Sequence, residues 1–330
     1  MSAADAFEIP FVASCAEEAI CHGDAEAVLI ASPNSFHREQ AEAAFEAGRH
    51  VLCEKPVALS LADSIAIQRA AQRAGRVLQV GFHHRFSSEH LCAKRLAELG
   101  VLGDVRAFSG TISEPVDVIP GGLKNYRFDA RMGGGFTLVD VGQHRIDQIR
   151  DLLGDVASLS CEMASVLETH NMDDCVVLSL RMATGAIGSL HWNRFSRAFT
   201  SPLLLYGTKG TLGCSALIAA PFQSAPVSVY LEDDPSSALP PEILSWTRPA
   251  RWWGDLVPGW IDIWPPRAKT FELQFRNFFE AIDRGSDPRA GGSDGHKALE
   301  VVQAAYLAYE RGCTVELPLS CDSHRPPPSW

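Results

Sequence analysis

From the first residues to about Phe86, short apolar runs alternate with stretches rich in alanine and charge. Phe11-Val12-Ala13, Ala27 to Ala31, Val51 to Cys53 and Val77 to Val80 have the length and continuous apolar character of buried strands. Between them, Ala16 to Cys21, Phe36 to Ala47 and Leu61 to Ala74 have the composition of surface helices. Strands separated by helices predict parallel βαβ units with right-handed crossovers. With a further helix over Glu89 to Leu99, these form a first domain at residues 1–98.

The pattern then changes. Val105 to Ile112, Val156 to Val166, Cys175 to Met182, Ala186 to Trp192 and Leu203 to Tyr206 follow one another with tight turns such as Ala183-Thr184-Gly185 and Gly207-Thr208-Lys209-Gly210. Val176, Leu178 and Leu180 share one face of their strand. Successive strands of this kind predict an antiparallel sheet. Its covering helices are expected near residues 139–153 and in two late stripes, one of Phe271, Phe275, Phe278 and Ile282, the other of Leu299, Val302, Tyr306 and Tyr309. The expected fold is α/β: an incomplete Rossmann-like parallel sheet, then an α+β domain at residues 99–320 with a large, mainly antiparallel open sheet. Residues 321–330, with three consecutive prolines, are expected to be a disordered tail. The segment Pro240 to Pro266 holds five of the seven tryptophans; it is expected to be an irregular insertion on the sheet or in a subunit interface rather than a substrate lid.

Composition narrows the function classes. The 330 residues are 46% hydrophobic, enough for two cored domains. A net charge of −11 opposes binding to a phosphate backbone, so nucleic acid is excluded as a partner. Nine cysteines with no C-x-x-C pair fit a reducing compartment. No apolar run approaches a membrane span and no signal-peptide pattern opens the chain, so the expected location is cytoplasmic.

Three constellations could carry chemistry. Ser32-Pro33-Asn34-x-x-His37 follows the strand Ala27 to Ala31, at the carboxyl end where open α/β sheets bind ligands; Asn34 or Ser35 as a plain helix cap is the alternative. Glu54-Lys55-Pro56 ends the next strand, where a lysine is either a surface ion-pair partner or a group working in the crevice. Gly133-Gly134-Gly135 precedes Asp140, His144, Asp147 and Asp151, which share one helical face opposite Ile146, Ile149 and Leu153. An amphipathic surface helix shows the same split. A carboxylate one turn from an imidazole also suits a tuned acid-base pair, and the glycines permit close approach of backbone to a ligand. No metal site is expected.

In order and spacing, these motifs resemble the glucose-fructose oxidoreductase, inositol dehydrogenase and rhizopine-catabolism (Gfo/Idh/MocA) family. The marks are Ser32-Pro33-Asn34-Ser35-Phe36-His37, Ala47 to Pro56, Gly81-Phe82-His83-His84-Arg85-Phe86, and Gly134-Gly135 leading into Asp140-x-Gly142-x-His144-x-x-Asp147. Gly292-Ser293-Asp294-Gly295 and Val315 to Leu319 add to them. The resemblance implies NAD or NADP as cofactor, with Ser32, Pro33, Asn34, His37, Glu54, Lys55 and Pro56 on the cofactor side. It implies Lys55, Asp140 and His144 as catalytic residues, and Arg85, Tyr126, Arg127, Asp140 and His144 near a small sugar, cyclitol or polyol substrate. His144 would be the base, with a pKa near neutrality, and Asp140 would orient its ring or hold a neighbouring hydroxyl. A homodimer or homotetramer formed through the open sheet is also expected.

One departure qualifies the picture. The family opens with a strand and a G-x-G-x-x-G turn; the first glycine here is Gly23, and that motif occurs nowhere in the chain. The sequence is therefore expected to start partway through its cofactor domain and to bind NAD(P) poorly. The rival expectation is a non-catalytic homologue kept for oligomerisation or ligand sensing.

Overall fold

The computed structural model describes residues 3–167, 170–215, 225–249 and 255–319. Trp252, Trp253 and the tail at 321–330 lie outside the described residues.

Three strands, β1 (Ala27–Ile30), β2 (His50–Cys53) and β3 (Leu78–Val80), form a parallel sheet in the order β1-β2-β3. The helices between them are His37–Glu46 and Leu61–Ala74. The second is capped at its start by Ser60, whose side chain accepts from Asp63 N, and stopped by Gly75 in the left-handed region. All four β2 residues are buried, as the middle strand of such a sheet requires. Phe11-Val12-Ala13 is not a strand. No strand lies beside the outer edge of β1 among the described residues, so Phe11 stacks on His22 with ring centroids 3.5 Å apart, and Val12 is exposed.

The second sheet has ten strands: β4 (Val105–Ser113), β5 (Val156–Ala164), β6 (Cys175–Met182), β7 (Ile187–Asn193), β8 (Pro202–Gly207), β9 (Gly210–Ser215), β10 (Val227–Leu231), β11 (Thr247–Pro249), β12 (Gly259–Ile263) and β13 (Val315–Glu316). Their order is β11-β12-β10-β9-β8-β4-β7-β6-β5-β13. Burial alternates along β6, with Val176, Leu178 and Leu180 inward. The sheet departs from the expected antiparallel pattern at its centre, where β4 and β7 run parallel in the register Ser113↔Asn193. Their carboxyl ends therefore meet on the same side. The tryptophan-rich segment is more regular than expected: β11 and β12 extend the sheet edge, Trp246 packs against the core, and Trp260 meets Tyr230 edge-on at 5.7 Å.

One apolar core runs between the two sheets. The helix Gly292–Arg311 contacts β5, β3 and the helix Leu61–Ala74, so a late element returns to the first sheet. Val80 N donates to Ala290 O at 2.8 Å just ahead of it. Among the described residues nothing covers the opposite face of the ten-stranded sheet, where Val177, Ile187, Tyr206, Tyr230 and Trp260 are exposed.

Candidate active site

The candidate groups gather where strands end. The carboxyl ends of β1, β2 and β3 carry Asn34, Lys55 and His83-His84, and those of β4 and β7 carry Glu114 and Arg194. Facing them is the segment Leu138–Gly142, which winds as a π-helix before the α-helix Gln143–Leu153. Such a widened turn is uncommon and recurs at functional sites. Asp173 seats it: this buried carboxylate accepts from Phe136 N at 3.2 Å and Leu138 N at 3.0 Å. Burial nevertheless pushes Asp173 up to about 6.

Asp140 lies at the focus. Lys55 Nζ donates to its carbonyl oxygen at 2.6 Å and to Oδ1 at 3.0 Å, and Arg127 Nε donates to Oδ1 at 3.1 Å. Arg194 Nη2 donates to Oδ2, while its Nη1 pairs with Glu114. Burial alone would raise the Asp140 pKa; Lys55 and Arg127 more than offset it and hold the group below the ordinary carboxylate value. Lys55 thus points into the crevice, with its side chain 10% exposed, rather than pairing at the surface. Arg194 and Glu114 escape a sequence reading that takes β4 and β7 as antiparallel, because only parallel register puts them at one end.

His144, His83 and His84 form an adjoining imidazole cluster. The His84 and His144 rings stack at 4.3 Å, and His83 stands edge-on to His144 at 4.7 Å. His144 Nδ1 is buried without a hydrogen-bond partner. Asp140 does not orient this ring as expected, since both its oxygens are committed to cations. Nor is the His144 pKa near neutrality. Burial, reinforced by His84, Lys55, His83 and Arg145, pushes it well below its usual value and keeps the ring neutral.

Other predicted site residues make contacts within the protein. His37 is clamped between backbone carbonyls, Nδ1 at 2.7 Å from Pro56 O and Nε2 at 3.0 Å from Ser32 O, and so ties the loops after β1 and β2 together. Ser32 Oγ donates to Gln40 at 2.7 Å. Asn34 caps no helix; its Nδ2 donates to Gly133 O at 2.8 Å and joins the first sheet's loop to the glycine triplet. Glu54 accepts from Lys55 N at 3.2 Å, and the Lys55-Pro56 peptide is cis. Tyr126 stacks under the Arg127 guanidinium at 4.9 Å.

Arg85, grouped by resemblance with the substrate residues, instead makes a buried bidentate pair with Asp147 at 2.7 and 2.6 Å and also contacts Asp294 and Arg289 O. This network, with His90 on Asp151, buries the charged face of the helix Gln143–Leu153, so that helix is not a surface one. The glycine triplet makes room for neighbouring protein groups. A Cβ on Gly135 would lie 2.3 Å from the Tyr306 hydroxyl, and one on Gly134 2.5 Å from Leu59.

Comparison with known proteins agrees with this architecture. Residues 1–82 match the model of an oxidoreductase family with an NAD-binding Rossmann fold, and residues 90–213 match the GFO/IDH/MocA C-terminal domain. D-apiose dehydrogenase of Paraburkholderia graminis is 30% identical over 302 residues, covering 88% of this chain and 72% of its own length. The chain belongs to the Gfo/Idh/MocA family. Levoglucosan dehydrogenase of Pseudarthrobacter phenanthrenivorans is 25% identical over 326 residues, covering 89% of this chain and 80% of its own length. A solved structure of levoglucosan dehydrogenase with NADH and levoglucosan shares the fold, with a TM-score of 0.81 at 24% identity over 96% of this chain and 87% of that one. As a Gfo/Idh/MocA oxidoreductase, the protein takes NAD(P) as its cofactor class. The described residues fit the nicotinamide end of such a molecule: Pro33 and Lys55 stand at the carboxyl edge of β1 and β2, and buried imidazole nitrogens without partners lie alongside.

Proposed function

We propose that this chain transfers hydride between NAD(P) and a secondary alcohol or ketone of a sugar, cyclitol or related polyol, with Lys55, Asp140 and His144 as the catalytic residues. The carrying observation is the part-buried Lys55–Asp140 contact beside a neutral imidazole whose Nδ1 has no hydrogen-bond partner among the described residues. The relatives support the substrate class: they include levoglucosan, D-apiose and inositol dehydrogenases.

A bound nicotinamide would supply the hydride acceptor or donor. Lys55, held by two acceptors on Asp140, would fix the reacting oxygen and stabilise alkoxide charge as it develops. His144 Nδ1 would take the hydroxyl proton on oxidation and return it on reduction. Its depressed pKa keeps the lone pair free, and makes the proton it accepts a strongly acidic one that is passed on rather than stored. Arg127 and Arg194 would keep Asp140 ionised, so that the Lys55 ammonium has a fixed counter-charge. The uncovered face of the ten-stranded sheet, with its exposed aromatic and branched side chains, would pair with a second copy.

The test is a panel of pentoses, hexoses, anhydrosugars and inositols offered with NAD+ and NADP+, read by nicotinamide absorbance, alongside calorimetric titration of each cofactor. Turnover of at least one polyol that disappears in Lys55→Met is expected. Cofactor binding with no turnover across the panel, or turnover untouched by Lys55→Met, would refute the assignment.

A further inference from the structure

The geometry points to a three-imidazole site for a divalent cation of the zinc class, built from His83, His84 and His144. One ring nitrogen from each lies within 4.8 Å of the others. Tetrahedral zinc with bonds of about 2.0–2.1 Å needs ligand nitrogens roughly 3.5 Å apart, so closure takes side-chain rotations on the order of an ångström. His144 Nδ1 and His83 Nδ1 are buried without hydrogen-bond partners, the state of a ligand atom awaiting its acceptor.

The scaffold holds the ligands together. His83 and His84 sit on the short turn His83–Phe86 after β3, and His144 on the first turn of the helix Gln143–Leu153. The bidentate Arg85–Asp147 pair joins the two segments, one residue past His84 and one helical turn past His144. Phe271 stacks on His83 at 4.6 Å and Phe82 stands edge-on to His144 at 6.4 Å, so apolar rings flank the cluster, which is half-buried at His83 and His84 and buried at His144. Burial drives all three pKa values down, His83 to about 4, so the imidazoles offer lone pairs at neutral pH.

Charge and donor type set the selectivity. The neighbouring cations Lys55, Arg127 and Arg194 are matched by Asp140, Glu114 and Glu54, leaving no surplus carboxylate among the described residues here to attract a hard ion. An all-nitrogen site favours Zn2+, Co2+ or Ni2+ over Mg2+ and Ca2+. Three protein ligands leave a fourth position for water or a hydroxyl. The site does not depend on the hydride-transfer reading. Where that reading also holds, an ion on His144 removes the lone pair that accepts the substrate proton, and turnover falls as the site fills.

Calorimetric titration with Zn2+, and Co2+ absorption in parallel, test the site in a chain with the exposed Cys15, Cys21 and Cys313 changed to serine. One ion per chain with micromolar or tighter affinity is expected. Altering residues behind a metal ligand costs about 10–100-fold in affinity, so His83→Gln and His84→Gln should each weaken binding by roughly 100-fold or more. Mg2+ and Ca2+ should not bind. No Zn2+ binding up to millimolar concentration, or binding that both variants leave unchanged, overturns the site. Should a variant fail to fold, X-ray absorption of the Zn2+-loaded parent decides: three imidazole nitrogens support the assignment, and a thiolate or all-oxygen shell refutes it.

Discussion

Replacing Asp140 by asparagine takes one negative charge out of a cluster containing three cations. Arg127, 31% exposed, can turn to solvent, and Arg194 keeps Glu114; Lys55, 10% exposed, loses the carboxylate it pairs with and is left with the longer-range attraction of Glu54. Removing one partner of a buried pair costs about 3–5 kcal/mol, because the other charge is left uncompensated. That is a large part of the ~5–15 kcal/mol that holds a typical domain folded. At about 2–4 °C per kcal/mol, the thermal midpoint should fall by roughly 6–20 °C.

Urea unfolding of Asp140→Asn, Lys55→Met and the double variant isolates the contact. The double variant should recover roughly 1–3 kcal/mol relative to the sum of the single changes. The pH dependence has a definite sign. Asp140 has a depressed folded pKa, so its contribution is full above the unfolded carboxylate value, about 3.9, and is lost as pH falls through the folded one. The gap between parent and variant should hold through the neutral range and close only in acid. A loss below about 1 kcal/mol with additive single changes would contradict the buried-pair account.

Lys55→Met and His144→Gln should each lower turnover by roughly 10² or more, with Lys55→Arg failing to rescue because a planar guanidinium cannot replace a point ammonium; near-parent kcat in either would remove that residue from the chemistry. Desolvation holds the half-buried His83 and His84 and the buried His144 neutral, so the unfolded chain binds more protons below its usual histidine pKa of about 6.5. Urea midpoints should therefore fall from about pH 6.5 towards pH 4, the folded value of His83, and a flat profile would rule out buried neutral rings. Light scattering should show a dimer or tetramer, and Tyr230→Lys with Ile187→Lys should shift it towards monomer; a parent that is monomeric at micromolar concentration would refute pairing through the open face.

Much of the fold is legible from periodicity alone. Leu61–Ala74 and Cys175–Met182 have their full observed extent in the sequence, because each combines one clear hydrophobic period with flanking turn residues. Hidden from it were features that depend on distant partners. Phe11 to Ala13 has strand composition but no neighbour to pair with among the described residues. The sequence singles out Lys55 and Asp140 as candidate site residues but does not show that they touch. The π-turn at Leu138–Gly142 rests on Asp173, a carboxylate far along the chain whose role no local pattern announces. Arg85 illustrates a partner set hidden from the sequence. A motif can place a residue beside the site while its guanidinium is fully taken up in holding the helix that carries His144.

The position of β4 also bears on how the molecule forms. β5, β6 and β7 make one ladder of sequential antiparallel neighbours, and β8, β9 and β10 another, so each can zip from its own turns. β4 precedes both in sequence, yet it lies between β7 and β8 and is what fuses them. Closing those two long loops is the entropically costly step of the topology, and long-range pairing is slow. Until it happens, Glu114 and Arg194 remain on separate pieces and Asp140 lacks one of its cations. After dilution from denaturant, enzymatic activity should therefore return with the slowest phase, well behind the helical circular dichroism signal.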